Sequence, residues 1–501
     1  MYLIFDTETT GLPKKWDSPI SDVNNWPRCV QIAWQLHDDM GVCIDHQAYI
    51  ICPDGFNIPY DAEKIHGIST ALATLKGDSL VGVLEKFNEV ISKSKFIVGQ
   101  NVGFDIKIIS CEFYRAQLET NLEDLKVLDT CTEVTANLCK LPGGRGGKYK
   151  LPTLTELHYF LFDEKFIEAH NATADVEATA RCFFELLRRE IYSIDELDCE
   201  FEYIKNFKNK NSLPIQLLGL RHENLKKQAF KLQEAEKQSL ESNKIDNDGD
   251  LSQVMADAEV IHLHNHSQFS VLQSTISIKK LVEMTSQNKM IAVALTDHGN
   301  MMGSFHFVKE IKNYNKNLLS KKAQSNENGE LIDLKPIKPI LGCEFFICED
   351  HKNKSHKDNG YQAVFLAKNK RGYQNLIKMA SLAYTEGFYY VPRIDKEIVK
   401  KYKSDIIVLS GNLKGEISSK ILNIGNEQAE HSLMWWKKEF GKDFFLEVMR
   451  HGQDDEDRVI PVLIEFSKKH DTSLVATNNI YYSSKSEANA HDILLCVKEG
   501  E

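Results

Sequence analysis

Tyr2-Leu3-Ile4-Phe5-Asp6-Thr7-Glu8 runs four apolar residues straight into two carboxylates spaced two apart. A short apolar run reads as a buried strand, and side chains two apart on a strand share a face, so Asp6 and Glu8 point at one spot. Adjacent carboxylates repel unless something positive sits between them, and a divalent metal ion is the simplest such group. Alone, the pattern is better read as a solvated strand end. The stretches that follow decide the fold. Val30-Gln31-Ile32-Ala33-Trp34 and Phe96-Ile97-Val98-Gly99 read as further strands with helical segments between them. That rhythm predicts an α/β architecture, a sheet flanked by helices.

Two later segments add acids. Phe96 to Asp105 reads as a strand, a glycine-containing turn and an acid opening a helix, where the helix dipole alone would also favour a carboxylate. His170-Asn171-Ala172-Thr173-Ala174-Asp175 precedes a helix expected over Val176–Glu190, with the histidine on a loop and the acid on a rigid element. The order Asp-x-Glu, then Asp, then His-x4-Asp resembles the DEDDh class of 3′–5′ exonucleases, to which the bacterial epsilon proofreading subunit belongs. Thr9-Thr10-Gly11, Ile65-His66-Gly67-Ile68 and Asn101 fit the same pattern. The resemblance covers residues 1 to about 190 and implies a ribonuclease H-like fold, a mixed sheet flanked by helices. It also implies catalytic roles for Asp6, Glu8, Asp105, His170 and Asp175. The four acids would hold two Mg²⁺ or Mn²⁺, with Asp6 bridging, and hard oxygen donors suit those ions. His170 would be the general base, since imidazole titrates near neutrality. DNA contacts are expected at Thr9, Gly11, Leu12, Asn101 and Phe104, the aromatic ring stacking on the terminal base. The basic, glycine-rich loop Gly143–Lys150 reads either as a solvated loop or as a contact for the DNA backbone.

The α/β rhythm resumes after residue 258. Strands are expected at Val260–His264, Ile291–Leu295, Ile340–Gly342, Ala363–Leu366, Ile406–Leu409 and Leu474–Ala476, most of them followed by helices, which suggests a barrel-like domain. His262-Leu263-His264-Asn265-His266 places three imidazoles on one strand face, and His298 and Glu344 are expected at the carboxyl ends of strands. These residues resemble the PHP domain that opens the bacterial DNA polymerase III alpha subunit, as do Leu366-Ala367-Lys368-Asn369, Pro392-Arg393-Ile394-Asp395 and His491-Asp492-Ile493-Leu494-Leu495. The implied fold is a distorted (β/α)7-type barrel. Several metal-ligand positions of that family are occupied by other residues: Gln273, Gln362, Asn412, and Asn479 with Tyr481. His264, His266, His298 and Glu344 persist as a vestigial metal site. Neutral amides bind divalent metals weakly, so Zn²⁺ is not expected here and the domain is expected to be mainly structural.

Composition bounds the rest. The chain has 501 residues, 42% hydrophobic and 27% charged, which excludes wholesale disorder and a fibrous repeat. No apolar run approaches the roughly 20 residues that cross a bilayer, so no membrane partner is expected. The opening residues carry no basic leader, and eleven scattered cysteines read as reduced thiols, so a cytoplasmic location is expected. The net charge of −11 argues against a protein that coats nucleic acid indiscriminately. Expected domains are the exonuclease at 1–195, a helical extension and linker at 196–257, and the PHP domain at 258–501. Within the middle zone Arg221–Glu241 has helix-forming composition, and Asn243–Asp250 reads as linker. Pro214–Leu220 loosely resembles sliding-clamp-binding peptides, or is an apolar patch packed on the nuclease. Lys316–Lys335 is expected to be a surface loop. Expected partners are DNA 3′ ends and primer–templates, a polymerase core, which these residues lack, and the clamp. The chain thus reads as the amino-terminal part of an exonuclease–alpha fusion. Alternatives are a free-standing nuclease with a working phosphoesterase, a non-catalytic scaffold, and an RNA-degrading nuclease.

Overall fold

β1 (Tyr2–Thr9) is the middle strand of a five-stranded mixed sheet ordered β3-β2-β1-β4-β5. β2 (Cys29–His37) and β3 (Cys43–Ile50) join it antiparallel on one side, and β4 (Phe96–Gly99) and β5 (Lys126–Asp129) run parallel on the other. The computed structural model describes residues 1–164, 171–220, 225–229, 231, 260–328 and 335–500, without the side chains of 145 and 321–328. The chain divides into two units, Met1–Ile245 and Asp246–Glu501.

Period-two alternation along β1 separates the two cores of the first unit. Leu3 and Phe5 pack with Trp34, Ile97, Phe87 of α3 (Leu80–Ile91) and Ile108 of α4 (Gly103–Ala116). Tyr2 and Ile4 pack on the opposite face with Phe96, Val98 and Phe183 of α7 (Ala172–Arg188). Burial on both faces is why β1 begins as an unbroken apolar run. Each such side chain contributes about 1.5–3 kcal/mol. α7 begins four residues before the expected helix because Asn171 caps it, its side chain accepting from Thr173 N.

α8 (Ile194–Leu197) and α9 (Phe201–Lys210), in the expected extension, add Leu197, Ile204 and Phe207 to the α7-side core. Ile215 packs there too, and Gly219 N donates to Glu177 Oε1 at 2.8 Å. Of the peptide 214–220, Leu217 and Leu218 face outward. Leu225 and Ala229 of the helical stretch 225–229 are buried. The rest of the expected helix Arg221–Glu241 and the linker Asn243–Asp250 lie outside the described residues, apart from residue 231.

In the second unit β6 (Ala292–Leu295), β7 (Lys338–Cys348), β8 (Tyr361–Ala367), β10 (Ile406–Leu409), β11 (Phe444–Val448) and β12 (Leu474–Ala476) form one sheet ordered β12-β11-β10-β8-β7-β6. β9 (Arg393–Asp395) pairs with β7. The expected strand Val260–His264 is instead an irregular extended segment, because its backbone serves two neighbours. Ala294 N donates to His262 O and Thr296 N to Asn265 O, while Ile480 N donates to His264 O and His266 N to Ile480 O. Those bonds link β6 to the chain just beyond β12 and curl the sheet toward a barrel.

Two further expectations fail. Lys316–Lys335 is not a loop over its described part, since the helix Ser304–Asn328 continues through it. The stretch is polar but has no Gly or Pro before Gly329, and Lys, Gln and Glu are good helix formers. Glu344 lies inside β7 rather than after it. Arg393 is fully buried and donates to the carbonyls of His351, Asn353, Asp358 and Gly387, tying the 351–358 loop to the sheet.

Candidate active site

β4 pairs with β1 only from Tyr2 to Ile4, so the end of β1 projects past its parallel neighbour. Asp6 and Glu8 share the face of Tyr2 and Ile4, the face covered by α7. α7 carries Asp175 in its first turn, where the helix dipole favours negative charge. Asp6, Glu8 and Asp175 each offer an oxygen, and these atoms lie within 4.8 Å of one another. Thr7 points to the other face and meets α4. Its Oγ1 donates to Asp105 Oδ1 at 2.6 Å and its backbone N at 3.0 Å. The helix bearing Asp105 is thereby pinned to the strand bearing the other acids.

The turn before α4 is held by a residue the sequence reading missed. Asp129, ending β5, accepts from the backbone N of Asn101, Val102 and Cys131 at 2.7–3.0 Å. It stabilises Asn101 in left-handed backbone conformation, φ 60°. An acid ending a short strand was the available signal, but β5 itself was not anticipated.

The four acids repel one another, and their electrostatics shows it. Burial, then Asp105, Asp175 and Glu8, push Asp6 well above the carboxylate range. Burial and the charges of Asp175 and Asp105 raise Glu8 to about 8, opposed by Lys226. Burial raises Asp105 to about 7 against the two Thr7 hydrogen bonds. A cluster of hard oxygen donors that repel one another fits divalent cations, whose binding would relieve the repulsion. His170 lies outside the described residues.

The expected DNA-contacting residues sit at the carboxyl ends of β1 and β4. Thr9 Oγ1 donates to Gly11 O at 2.7 Å, and Gly11 has φ +143°. Leu12 is 73% exposed and Asn101 is exposed. Phe104 is half-buried, and Trp16, which the sequence reading passed over, lies 5.8 Å from it and is 61% exposed. Together they offer an exposed aromatic surface. In the loop Gly143–Lys150, Lys148 pairs with Glu133 and Lys150 with Glu156 at 2.7 Å, so both ammonium groups are engaged within the unit.

The second unit gathers its own cluster. Glu344 Oε2 lies 2.9 Å from His298 Nδ1, 3.3 Å from His266 Nε2 and 3.4 Å from His264 Nε2, all four residues being buried. His262 is only half-buried and stands outside this group. Glu447, missed along with β11, lies 2.9 Å from His264 Nδ1. Desolvation opposes a charged His264, but Glu447 and Glu344 raise it to about 10. Burial and His298 hold His266 well below its usual value. Despite the short separations, neither oxygen of Glu344 has a well-directed donor among the described residues, nor does Glu447 Oε2. Four polar residues singled out in the sequence complete the surroundings. Asn479 Oδ1 meets His266 Nε2 at 2.9 Å, Tyr481 OH meets His298 Nε2 at 3.0 Å, and Asn412 Nδ2 donates to Gln362 Oε1 at 3.2 Å. A cavity of about 430 Å³ opens beside them, with Gln273, Gln362, Asn412, Glu447 and Tyr481 in its wall.

Comparison with known proteins agrees with both halves. Residues 3–183 match the family described as an exonuclease, and residues 262–451 match the PHP domain. Over the PHP region the chain is 37% identical to the DNA polymerase III subunit alpha of Borreliella burgdorferi across 244 residues, 48% of this chain and 19% of that one. It is 36% identical to the subunit of Thermus aquaticus across 244 residues, 47% of this chain and 18% of that one. The chain therefore spans about a fifth of the length of these curated relatives. Among solved structures, Escherichia coli exonuclease I in complex with a dA16 oligonucleotide aligns over 39% of this chain and 42% of its own, at 22% identity and a TM-score of 0.31. The chain carries an exonuclease domain followed by a PHP domain. Among the described residues, no helix is long and apolar enough to cross a membrane.

Proposed function

We propose that the first unit is a metal-dependent 3′–5′ exodeoxyribonuclease that proofreads DNA 3′ ends for a replicative polymerase of the DNA polymerase III alpha type. The observation that carries this reading is the convergence of Asp6, Glu8 and Asp175, with Asp105 anchored beside them by Thr7. Two Mg²⁺ or Mn²⁺ ions bound there would supply an activated water and stabilise the departing 3′-oxygen. The chain's own residues do the remaining work. Asp6, Glu8, Asp105 and Asp175 would hold the ions, and Thr7 fixes the direction of the Asp105 carboxylate. His170 takes a proton from the attacking water. Phe104, with Trp16 and Leu12, stacks on the terminal base without regard to its identity, while Thr9, Gly11 and Asn101 contact the sugar and phosphate. The alpha-type relatedness of the second unit favours DNA over RNA and a polymerase core as partner, in the cytoplasm. Ile215 is already packed, which disfavours a clamp contact at 214–220.

The second unit is read as a brace rather than a phosphoesterase, since neutral amides replace its ionic ligands. The undirected oxygens of Glu344, facing three imidazoles, nevertheless favour one retained divalent cation in place of the metal-free domain expected from sequence. Metal analysis of the purified chain and of Glu344→Gln tests that second reading.

The nuclease reading is tested with a 5′-labelled single-stranded oligonucleotide and Mg²⁺ or Mn²⁺. The wild type should shorten it stepwise from the 3′ end, and Asp6→Ala should not. An intact substrate with wild-type protein and either metal would overturn the proposal.

A further inference from the structure

We infer that His351, Glu386 and Asp350 form a Zn²⁺ site at the edge of the second unit, apart from the Glu344 cluster, with Asp395 orienting the imidazole.

Asp395 ends β9 and caps the helix Lys396–Tyr402, its Oδ1 accepting from Glu397 N at 3.1 Å and Ile398 N at 3.0 Å. Its other oxygen, Oδ2, meets His351 Nδ1 at 2.5 Å. A carboxylate only accepts, so Nδ1 carries the proton, and a neutral ring then keeps a lone pair on Nε2. His351 is 7% exposed, and its buried Nε2 has no hydrogen-bond partner among the described residues. The group that faces it is Glu386 Oε2, at 3.7 Å. A lone pair turned toward a carboxylate is repulsive unless a cation stands between them.

The separation fits a metal better than a proton. A distance of 3.7 Å is too long for a hydrogen bond. Two ligands of one tetrahedral Zn²⁺ stand roughly 3.3–3.4 Å apart, each about 2.0–2.1 Å from the ion. The Glu386 side chain is 47% exposed, so a small turn closes the difference. Asp350 supplies the third ligand. One of its oxygens, a ring nitrogen of His351 and an oxygen of Asp395 lie within 4.8 Å of one another. Asp350 is exposed, and among the described residues its carboxylate accepts only from Lys352 N, at 2.9 Å. Lys352 Nζ lies 4.0 Å from Glu386 Oε2, but its side chain is 69% exposed and such a surface pair is weak.

Metal-binding imidazoles are commonly held through their far nitrogen by a carboxylate, the part Asp395 plays here. One imidazole and two carboxylates suit Zn²⁺, with water as the fourth ligand. The framework is firm: Arg393 ties the loop to the sheet, and Glu386 directly follows the helix Lys370–Thr385. Asp395 pairs with Cys348 of β7, four residues beyond Glu344 and so about 13 Å along the strand.

The test measures Zn²⁺ bound per full chain by equilibrium dialysis at micromolar free Zn²⁺ and pH 7.5. His351→Gln and Glu386→Gln should each bind one equivalent fewer than the wild type, whatever the other sites hold. Asp395→Asn should weaken that equivalent about 10–100-fold. Glu386→Gln changes a half-exposed side chain, so it carries the test if His351→Gln loosens the loop. Equal Zn²⁺ in the wild type and Glu386→Gln would overturn the inference and leave His351 protonated in an ion pair. Unchanged affinity in Asp395→Asn would overturn the orienting role. Neither outcome touches the nuclease reading, which concerns the other unit.

Discussion

Glu8→Gln should stabilise the metal-free protein while abolishing its metal response. Burial and the charges of Asp175 and Asp105 raise Glu8 from 4.5 to about 8. A carboxylate raised on folding favours the folded state fully below its unfolded pKa and loses that advantage as pH rises toward the folded value. At pH 7.5 the difference spans three pKa units, an upper bound of about 4 kcal/mol. Glu8 is only half-buried, and solvent screening reduces this to about 1–2 kcal/mol. Glutamine has nearly the same shape and no charge to repel. In EDTA at pH 7.5 the melting temperature of the first unit should therefore rise by roughly 3–6 °C, and at pH 4 the difference should vanish. Scanning calorimetry with and without Mn²⁺ reads both effects. Mn²⁺ should raise the wild-type transition and leave the variant nearly unmoved. A lower transition for the variant in EDTA, or equal Mn²⁺ stabilisation of both proteins, would refute the idea that four unneutralised acids define the site.

Thr7→Val removes the 2.6 Å hydroxyl donor from Asp105 and should cost about 1.5–3 kcal/mol in chemical denaturation. Without that donor Asp105 ionises at higher pH, so the acidic limb of the pH–rate profile should move upward. Glu416→Gln tests the second unit. Against its burial, Lys396 and Lys420 bring Glu416 down to about 2. That stabilisation, about 3 kcal/mol, is present above the unfolded value of 4.5 and is lost as pH falls through 2, so urea melts of variant and wild type should differ at pH 7 and converge near pH 2. Glu344→Gln leaves His264 and His298 facing an amide and should lower stability by about 3–5 kcal/mol, with any Zn²⁺-dependent rise in melting temperature lost.

Much of the site was legible because it is built from local patterns. Period two placed Asp6 and Glu8 on one face, and the helix expected over Val176–Glu190 put Asp175 at its start. Polar edge elements were not legible. β3 is half-exposed and its middle is the polar Asp45, His46 and Gln47, and the helix through Lys316–Asn328 is polar and reads like a loop. Single residues acting across the sheet also escaped: Asp129 holding the Asn101 turn, Trp16 beside Phe104, and Glu447 against His264.

By itself the sequence determined most of the buried strands and the order of the acids, because each follows from residue type and short-range spacing, while the exchanged ligand positions of the second unit are what its resemblance to the PHP family implies. Only the tertiary structure decided which face of β1 meets α7, that Thr7 spends its hydroxyl on Asp105, and that Leu225 comes back to pack on Ile58 and Leu72 from far along the chain. Those are contacts between distant segments, and their energies depend on separation in space, which spacing along the chain does not encode.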